Sequence, residues 1–152
     1  MLTARRASFW QGTYDIAVDG RPLTTWTPKV WKTGGDFVLD GRAYSLRGQG
    51  WGSNYTLTSG DALVAQADRV GRSAWTLAVG PRVHTFRRAS FWTGDQHLVE
   101  GDRVVGGVRR TGRWRADAEA DLPGLDLPVQ VFALTVVLTL WAAQATAAAA
   151  AT

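Results

Sequence analysis

Two histidines, His84 and His97, are the residues that could begin a metal site, and the chain has no cysteine to complete one. Zinc sites use three or four ligands, and neither histidine has a Cys or Glu-x-x-His companion. The two side chains also fall on different predicted strands. The sequence therefore predicts no metal site and no cofactor.

Ser8 and Ser90 stand in a repeated ASFW motif and are the serines to weigh as nucleophiles. A catalytic serine needs a base within hydrogen-bond reach and an elbow such as Gly-x-Ser-x-Gly, and neither is visible. Both hydroxyls are expected to serve turns or strands. Because no nucleophile or acid–base pair is recognisable, no catalytic residue is predicted and the protein is not expected to be an enzyme.

Two further segments could bind ions. The segment RGQGWGSN (47–54) is rich in glycine, but phosphate-binding loops lead into a helix, and the residues that follow this one are typical of a strand. A loop or bulge is therefore expected. Asp117, Glu119 and Asp121 alternate along an extended stretch, and a solvated edge is favoured over a weak cation site.

Arginine supplies most of the basic charge: fifteen arginines and two lysines stand against thirteen acids, for a net charge of +4. The candidate anion-binding residues are Arg87, Arg88, Arg109, Arg110, Arg113 and Arg115. Guanidinium groups bind phosphate in a bidentate manner, so their convergence on one rim of the fold predicts an anion site. The alternative is a solvated surface of mixed charge, because acids and bases alternate along most of the chain.

Tryptophan could mark a nucleic-acid groove, since Trp10, Trp92 and Trp114 lie near arginines. Nucleic-acid surfaces cluster one sign of charge, which is not seen here, so packing is favoured and nucleic acid is not expected as a partner. An anionic phospholipid or a protein partner stays open, and a monomer is expected. The lack of cysteine and of an apolar N-terminal signal favours the cytoplasm, with membrane association through the C-terminal segment as the alternative.

The segments that contain these residues have the sequence pattern of β-hairpins. Glycine-containing turns recur about every twenty residues between alternating apolar runs, which predicts ten to twelve short strands over residues 8–116, in a sandwich or a barrel. The motif RRASFWQG (5–12) returns as RRASFWTG (87–94). This repetition indicates either two related halves or two equivalent positions in a barrel.

The last 26 residues, Leu127 to Thr152, carry no charged side chain. We expect a linker over 117–128, with Asp126 near the N-cap and Pro128 at the first helical position, and then a helix over about 129–146. The densest apolar stretch, 129–143, would be ~22 Å long, short of the ~30 Å core of a bilayer. A helix buried in a barrel is therefore favoured over a membrane anchor or a partner-bound helix.

The glycine-turn hairpins, the link EADLPGLDLPVQVF (119–132) and the terminal apolar helix together resemble the tubby C-terminal-like superfamily. That group includes tubby-like proteins, LURP-one-related proteins and phospholipid scramblases, and the resemblance covers most of the chain. It implies a closed antiparallel β-barrel of about twelve strands enclosing a C-terminal hydrophobic helix, with residues 1–152 as one domain. In tubby-like proteins a cationic pocket binds phosphoinositide head groups, but the resemblance does not map that pocket onto residues here.

These observations together predict a non-enzymatic binding protein whose ligand is an anionic lipid surface or a protein partner. The alternative is a β-domain that is anchored in a membrane by its C-terminal segment and acts as an accessory or scaffold protein.

Overall fold

The computed structural model describes residues 1–7, 12–28, 34–49, 53–90, 93–112 and 117–151. This part of the chain forms twelve β-strands followed by one helix, α1 (Leu127–Ala150). In chain order the strands are β1 (Leu2–Arg6), β2 (Tyr14–Val18), β3 (Arg21–Pro28), β4 (Gly34–Leu39), β5 (Arg42–Gln49), β6 (Asn54–Ser59), β7 (Ala62–Asp68), β8 (Ala74–Val79), β9 (Arg82–Arg88), β10 (Gln96–Glu100), β11 (Arg103–Thr111) and β12 (Asp117–Asp121).

The strands close into an antiparallel barrel in which each strand pairs with its neighbours in sequence. Strands β1 and β12 complete the ring, with Leu2 opposite Ala120 and Ala4 opposite Ala118. A closed ring removes the unpaired strand edges that would invite association. The predicted fold class, a closed barrel of about twelve strands with a C-terminal helix, is confirmed, although the strands begin at Leu2 and not at residue 8.

Five two-residue turns close one end of the barrel, at the positions that the sequence predicts. Asp19-Gly20 and Asp40-Gly41 have positive φ at both residues, which is the type I′ geometry that suits the twist of a hairpin. The other three turns begin with a glycine at positive φ: Gly60, Gly80 and Gly101. We call this end of the barrel the turn rim.

The barrel is built from three units of four strands that are spaced 41 residues apart. Each unit has a register shift between its first two strands, and these shifts fall between Ile16 and Ala17, between Leu57 and Thr58, and between Leu98 and Val99. One extra residue on the second strand of each unit packs half-buried against the core: Leu23, Val64 and Val105. Because bulges increase the local twist, the three units bend the sheet at regular intervals. Strand β1 supplies the fourth strand of the third unit.

This spacing explains the motif that occurs twice in the sequence. The N–H of Ala7 donates to the carbonyl of Thr13 at 2.7 Å, and that of Ala89 donates to the carbonyl of Asp95 at 2.7 Å. Both motifs therefore connect two strands in the same way, two units apart along the chain. The structure supports two equivalent barrel positions, and a division of the β region into two halves is wrong.

Helix α1 runs through the barrel and supplies its core. Its buried residues are Val129, Val131, Phe132, Ala133, Leu134, Thr135, Val136, Val137, Leu138, Leu140 and Trp141. The hydroxyl groups of Thr135 and Thr139 donate to the carbonyls of Val131 and Thr135 at 2.9 and 2.8 Å, so both enter the core with a partner. The helix is thus apolar on every side because protein surrounds it on every side.

The predicted linker over 117–128 is wrong in its first part, because Asp117–Asp121 forms strand β12. Ala118 and Ala120 face inward, and α1 contacts this strand more than any other. Side chains this small let the helix lie close to the wall. Alanine is depleted in strands in general, which is why the pattern did not predict one here.

The helix begins two residues before its predicted start and extends four residues beyond its predicted end. Asp126 is the N-cap in an extended conformation, without a side-chain capping hydrogen bond, and Pro128 lies in the first turn. Pro128 is the second helical residue and not, as predicted, the first, but a proline still costs nothing there because its N–H is not needed in the first turn. Because α1 extends to Ala150, its last residues, 142–150, are exposed beyond the barrel.

Candidate anion-binding rim

Helix α1 leaves the barrel at the end opposite the turn rim. Trp141 is its last buried residue, at 3% exposure, and residues 142–150 are all exposed. We call these nine residues the helix tip. The surrounding end of the barrel, here called the exit rim, consists of the strand ends joined by the connections 7–13, 29–33, 50–53, 69–73, 89–95 and 112–116.

Trp141 is held to the exit rim by a chain of hydrogen bonds. Its indole N–H donates to the carbonyl of Gly94 at 2.9 Å, and this carbonyl also accepts from the Gln96 side-chain amide at 3.0 Å. The oxygen of that amide accepts from the indole N–H of Trp75 at 3.0 Å. Gln96 is only 2% exposed. Its buried, hydrogen-bonded side-chain amide therefore connects the end of the helix to the barrel wall.

Arg110 covers the other side of Trp141. Its guanidinium carbon lies 4.7 Å from the centre of the indole ring, within the range of a cation–π contact. The N–H of Arg110 donates to Asp95 Oδ1 at 2.9 Å, and the equivalent residue 41 positions earlier, Arg69, donates to Asn54 Oδ1 at 3.4 Å. The hydrogen bond to Asp95, which recurs in the second unit, therefore holds the backbone of Arg110. The cation–π contact with Trp141 holds its side chain.

Of the six predicted anion-binding arginines, Arg88 and Arg110 lie at the exit end of the barrel wall, on strands β9 and β11. Arg88 lies opposite Gln96, and Arg110 lies opposite Ala118. Gln96 and Ala118 both face inward. Arg88 and Arg110 therefore lie on the inward-facing side of the barrel wall, near the ends of their strands.

The remaining predicted residues do not join this pair. Arg87 is exposed opposite His97 on the outer face of the wall. Arg109 is also on the outer face and is paired with Glu119, which compensates its charge. Arg113 and Arg115 lie outside the described residues.

Arg6 is a rim residue that sequence reasoning missed. It lies opposite the inward-facing Tyr14, and its N–H donates to Asp117 Oδ1 at 3.1 Å. Burial raises the pKa of Tyr14; the neighbouring Arg6 and Arg110 act in the opposite direction, while Asp117 adds to the rise. These charges therefore surround one phenol at the exit rim. The signal that could have found Arg6 is the repeated motif, in which it is the counterpart of Arg88.

Charge is distributed unevenly along the barrel axis. At the turn rim, the seven carboxylates are Asp19, Asp40, Asp61, Glu100, Asp102, Asp121 and Asp126, and the four arginines are Arg21, Arg42, Arg82 and Arg103. In the described part of the exit half, the nine arginines are Arg5, Arg6, Arg47, Arg69, Arg72, Arg87, Arg88, Arg109 and Arg110, and the six carboxylates are Asp15, Asp36, Asp68, Asp95, Asp117 and Glu119. Among the described residues, the exit half is therefore the positive end of the barrel.

The histidines and acids considered from the sequence lie apart. His84 is half-buried opposite Leu77, whereas His97 is exposed. Within the described ranges no group of three or more His, Asp or Glu side chains is placed to hold a metal ion. Asp117 and Glu119 accept hydrogen bonds from the chain itself, from the N–H of Arg6 and the side chain of Arg109.

The serine and glycine motifs form connections between strands. Ser90 Oγ accepts the N–H of Thr93 at 3.3 Å, as expected of a turn hydroxyl, and Ser8 lies outside the described residues. The glycine-rich segment 47–54 joins β5 to β6 and leads into a strand, as predicted, and not into a helix.

Comparisons of the chain with protein-family models, with curated proteins and with solved structures found no match. By length and composition alone α1 could cross a membrane, but 56% of its most apolar window is buried inside the barrel.

Proposed function

We propose that the protein is a non-enzymatic binding module that docks its exit rim on an anionic membrane surface. One observation carries the proposal: an uncharged helix end emerges through the positive end of the barrel, beside an arginine that is stacked on a tryptophan. Arginine and tryptophan both favour the head-group layer, where the charge meets phosphate and the ring meets the edge of the hydrocarbon.

The magnitudes favour docking through several weak contacts. Each Lys or Arg near an anionic leaflet contributes ~1 kcal/mol, and this attraction falls off within a Debye length. The nine described arginines of the exit half lie toward the same end of the barrel and could share such contacts.

A spanning anchor is the less favourable alternative. It would require α1 to leave the barrel, and the cavity that remained would expose the apolar inner wall to water. Peripheral binding on the cytoplasmic face of a membrane, as a monomer, is therefore the function that we propose.

The test is co-sedimentation of the purified chain with vesicles of phosphatidylcholine, with and without phosphatidylserine. We expect binding to require phosphatidylserine and to weaken as salt is added. Changing both Arg88 and Arg110 to Gln should weaken binding by about 2 kcal/mol, roughly 30-fold, because two rim charges are lost. The thermal unfolding of the variant should be recorded alongside, since Arg110 also contacts Trp141.

The matched control changes two exposed arginines of the turn rim, Arg21 and Arg82, to Gln. It removes the same charge from the opposite end of the barrel and should leave vesicle binding nearly unchanged. Equal losses in the two double variants would mean that only net charge matters. Binding that ignores phosphatidylserine, or no binding at all, would leave a protein partner as the better candidate.

A further inference from the structure

We infer that the helix tip enters the lipid leaflet when the exit rim docks, so that one helix serves as barrel core and membrane probe at the same time. This inference rests on the proposed function. The direction of the tip follows from the fold, because residues 142–150 continue without a break from the segment that is enclosed by the barrel. When the barrel axis is perpendicular to a flat membrane, the exit rim cannot reach the surface unless the helix tip enters the membrane first.

The length of the tip sets the depth. Nine helical residues extend for ~14 Å, whereas the head-group layer is ~5–8 Å thick and one leaflet of hydrocarbon is ~15 Å thick. The nine residues of the tip are therefore long enough to pass the head groups and reach the hydrocarbon.

The chemistry of the tip permits this entry but does not drive it. No residue from 142 to 150 is charged, and the Thr146 hydroxyl donates to the carbonyl of Ala142 at 3.0 Å. Gln144 is the one other polar side chain in the tip. Alanine gains little from burial. Shallow entry thus depends on the attraction of the basic rim that surrounds the tip.

The absence of cysteine from the chain allows a direct test. Ala147→Cys places a single thiol in the tip, and Ala62→Cys places one at the exposed turn rim as the matched control. Each is labelled with an environment-sensitive nitrobenzoxadiazole dye and titrated with phosphatidylserine-containing vesicles, while co-sedimentation measures binding separately. We expect a blue shift and a gain in emission for the dye at position 147 and no change for the dye at position 62.

The result that overturns the inference is a bound protein whose dye at position 147 stays in water. If instead the protein does not bind these vesicles, the proposed function fails and the inference fails with it. A second variant, Ala147→Asp, puts a charge in the tip and should weaken vesicle binding roughly tenfold, because a carboxylate is costly below the head groups. Unchanged binding by Ala147→Asp would also contradict insertion.

Discussion

Trp141 determines where the helix leaves the barrel, because contacts on two sides hold its indole. Gly94 accepts the indole N–H, and Arg110 lies over the ring. The same contact dictates the residue at position 94. A Cβ there would lie 2.8 Å from the indole nitrogen, and the backbone has a φ of +76°, so only glycine fits without adjustment.

Gly94→Ala should therefore destabilise the protein for two reasons, strain at positive φ and a clash with Trp141. The matched control is Gly80→Ala, where φ is +56° and no atom lies within 4 Å of the added Cβ. We expect the control to cost about 1 kcal/mol and Gly94→Ala to cost about 1–3 kcal/mol more, measured by urea unfolding. Equal losses would show that Trp141 can move aside freely.

Two tyrosines make stability depend on alkaline pH. Burial raises the pKa of Tyr14 and Tyr55 above the ordinary value of 10.0, since desolvation disfavours the phenolate. In the range between the unfolded and folded pKa values the folded state holds protons that the unfolded state has lost. The resulting stabilisation is complete below about pH 10 and is lost as the pH rises through the raised pKa of the folded protein.

The free energy of unfolding should thus fall more steeply above pH 10 in the parent than in a Tyr14→Phe, Tyr55→Phe double variant. Urea titrations at neutral and alkaline pH would measure this difference. If the parent and the double variant lose stability in parallel, the alkaline dependence arises from other groups.

At the scale of elements, α1 is divided into two environments along one unbroken helix. Up to Trp141 the barrel encloses it, and from residue 142 onward it is exposed. A carboxylate should therefore be disruptive at position 138 and nearly neutral for folding at position 147, only nine residues further along the helix.

Leu138→Asp should prevent folding as a soluble protein, because Leu138 is 2% exposed and an unpaired buried charge costs several kcal/mol. Ala147→Asp should fold with nearly the parent melting temperature, because position 147 is exposed. Circular dichroism melts of the soluble fractions would compare the two. A well-folded Leu138→Asp variant would place this segment outside the core.

The hairpins could be predicted from the sequence because each of their turns needs a residue that tolerates positive φ, and Gly and Asp-Gly show this directly. The 41-residue unit could not be predicted, because its equivalent inward positions hold residues of very different size: Trp26, Ala67 and Val108. The neighbouring strand compensates for these sizes. Gly35 leaves room for Trp26 in the first unit. Trp75, 40 residues later, has the corresponding place in the strand register of the second unit, because it pairs with Phe86 as Gly35 pairs with Leu46.

The candidate site was only partly accessible to sequence reasoning for a related reason. An arginine run does not show which side chains face the lumen, since alternation along a strand separates Arg109 from Arg110. Only the register places Arg88 and Arg110 on the inward-facing side of the wall at the exit end of the barrel. The exit of the helix was equally hidden, because nothing in an uncharged tail marks the residue at which the barrel ends.

For the whole molecule, the separation of charge and the protruding helix tip define one orientation. In the proposed docking, the positive exit half meets an anionic surface, and the turn rim, with its seven carboxylates, faces away. A net charge of only +4 would not suggest such polarity, because the two ends partly cancel in the sum. Under this proposal the barrel presents its exposed helix tip to the membrane.

Amide hydrogen exchange along α1, measured on the free protein without detergent or lipid, tests this arrangement most directly. Amides of residues 131–141 should exchange only through global unfolding, and those of residues 145–150 should exchange at least ~10³-fold faster, because the surrounding barrel ends between them. A steep change in protection just after Trp141 is the predicted result. Uniformly slow exchange to residue 150, or uniformly fast exchange from residue 131, would contradict a helix that is core at one end and free at the other.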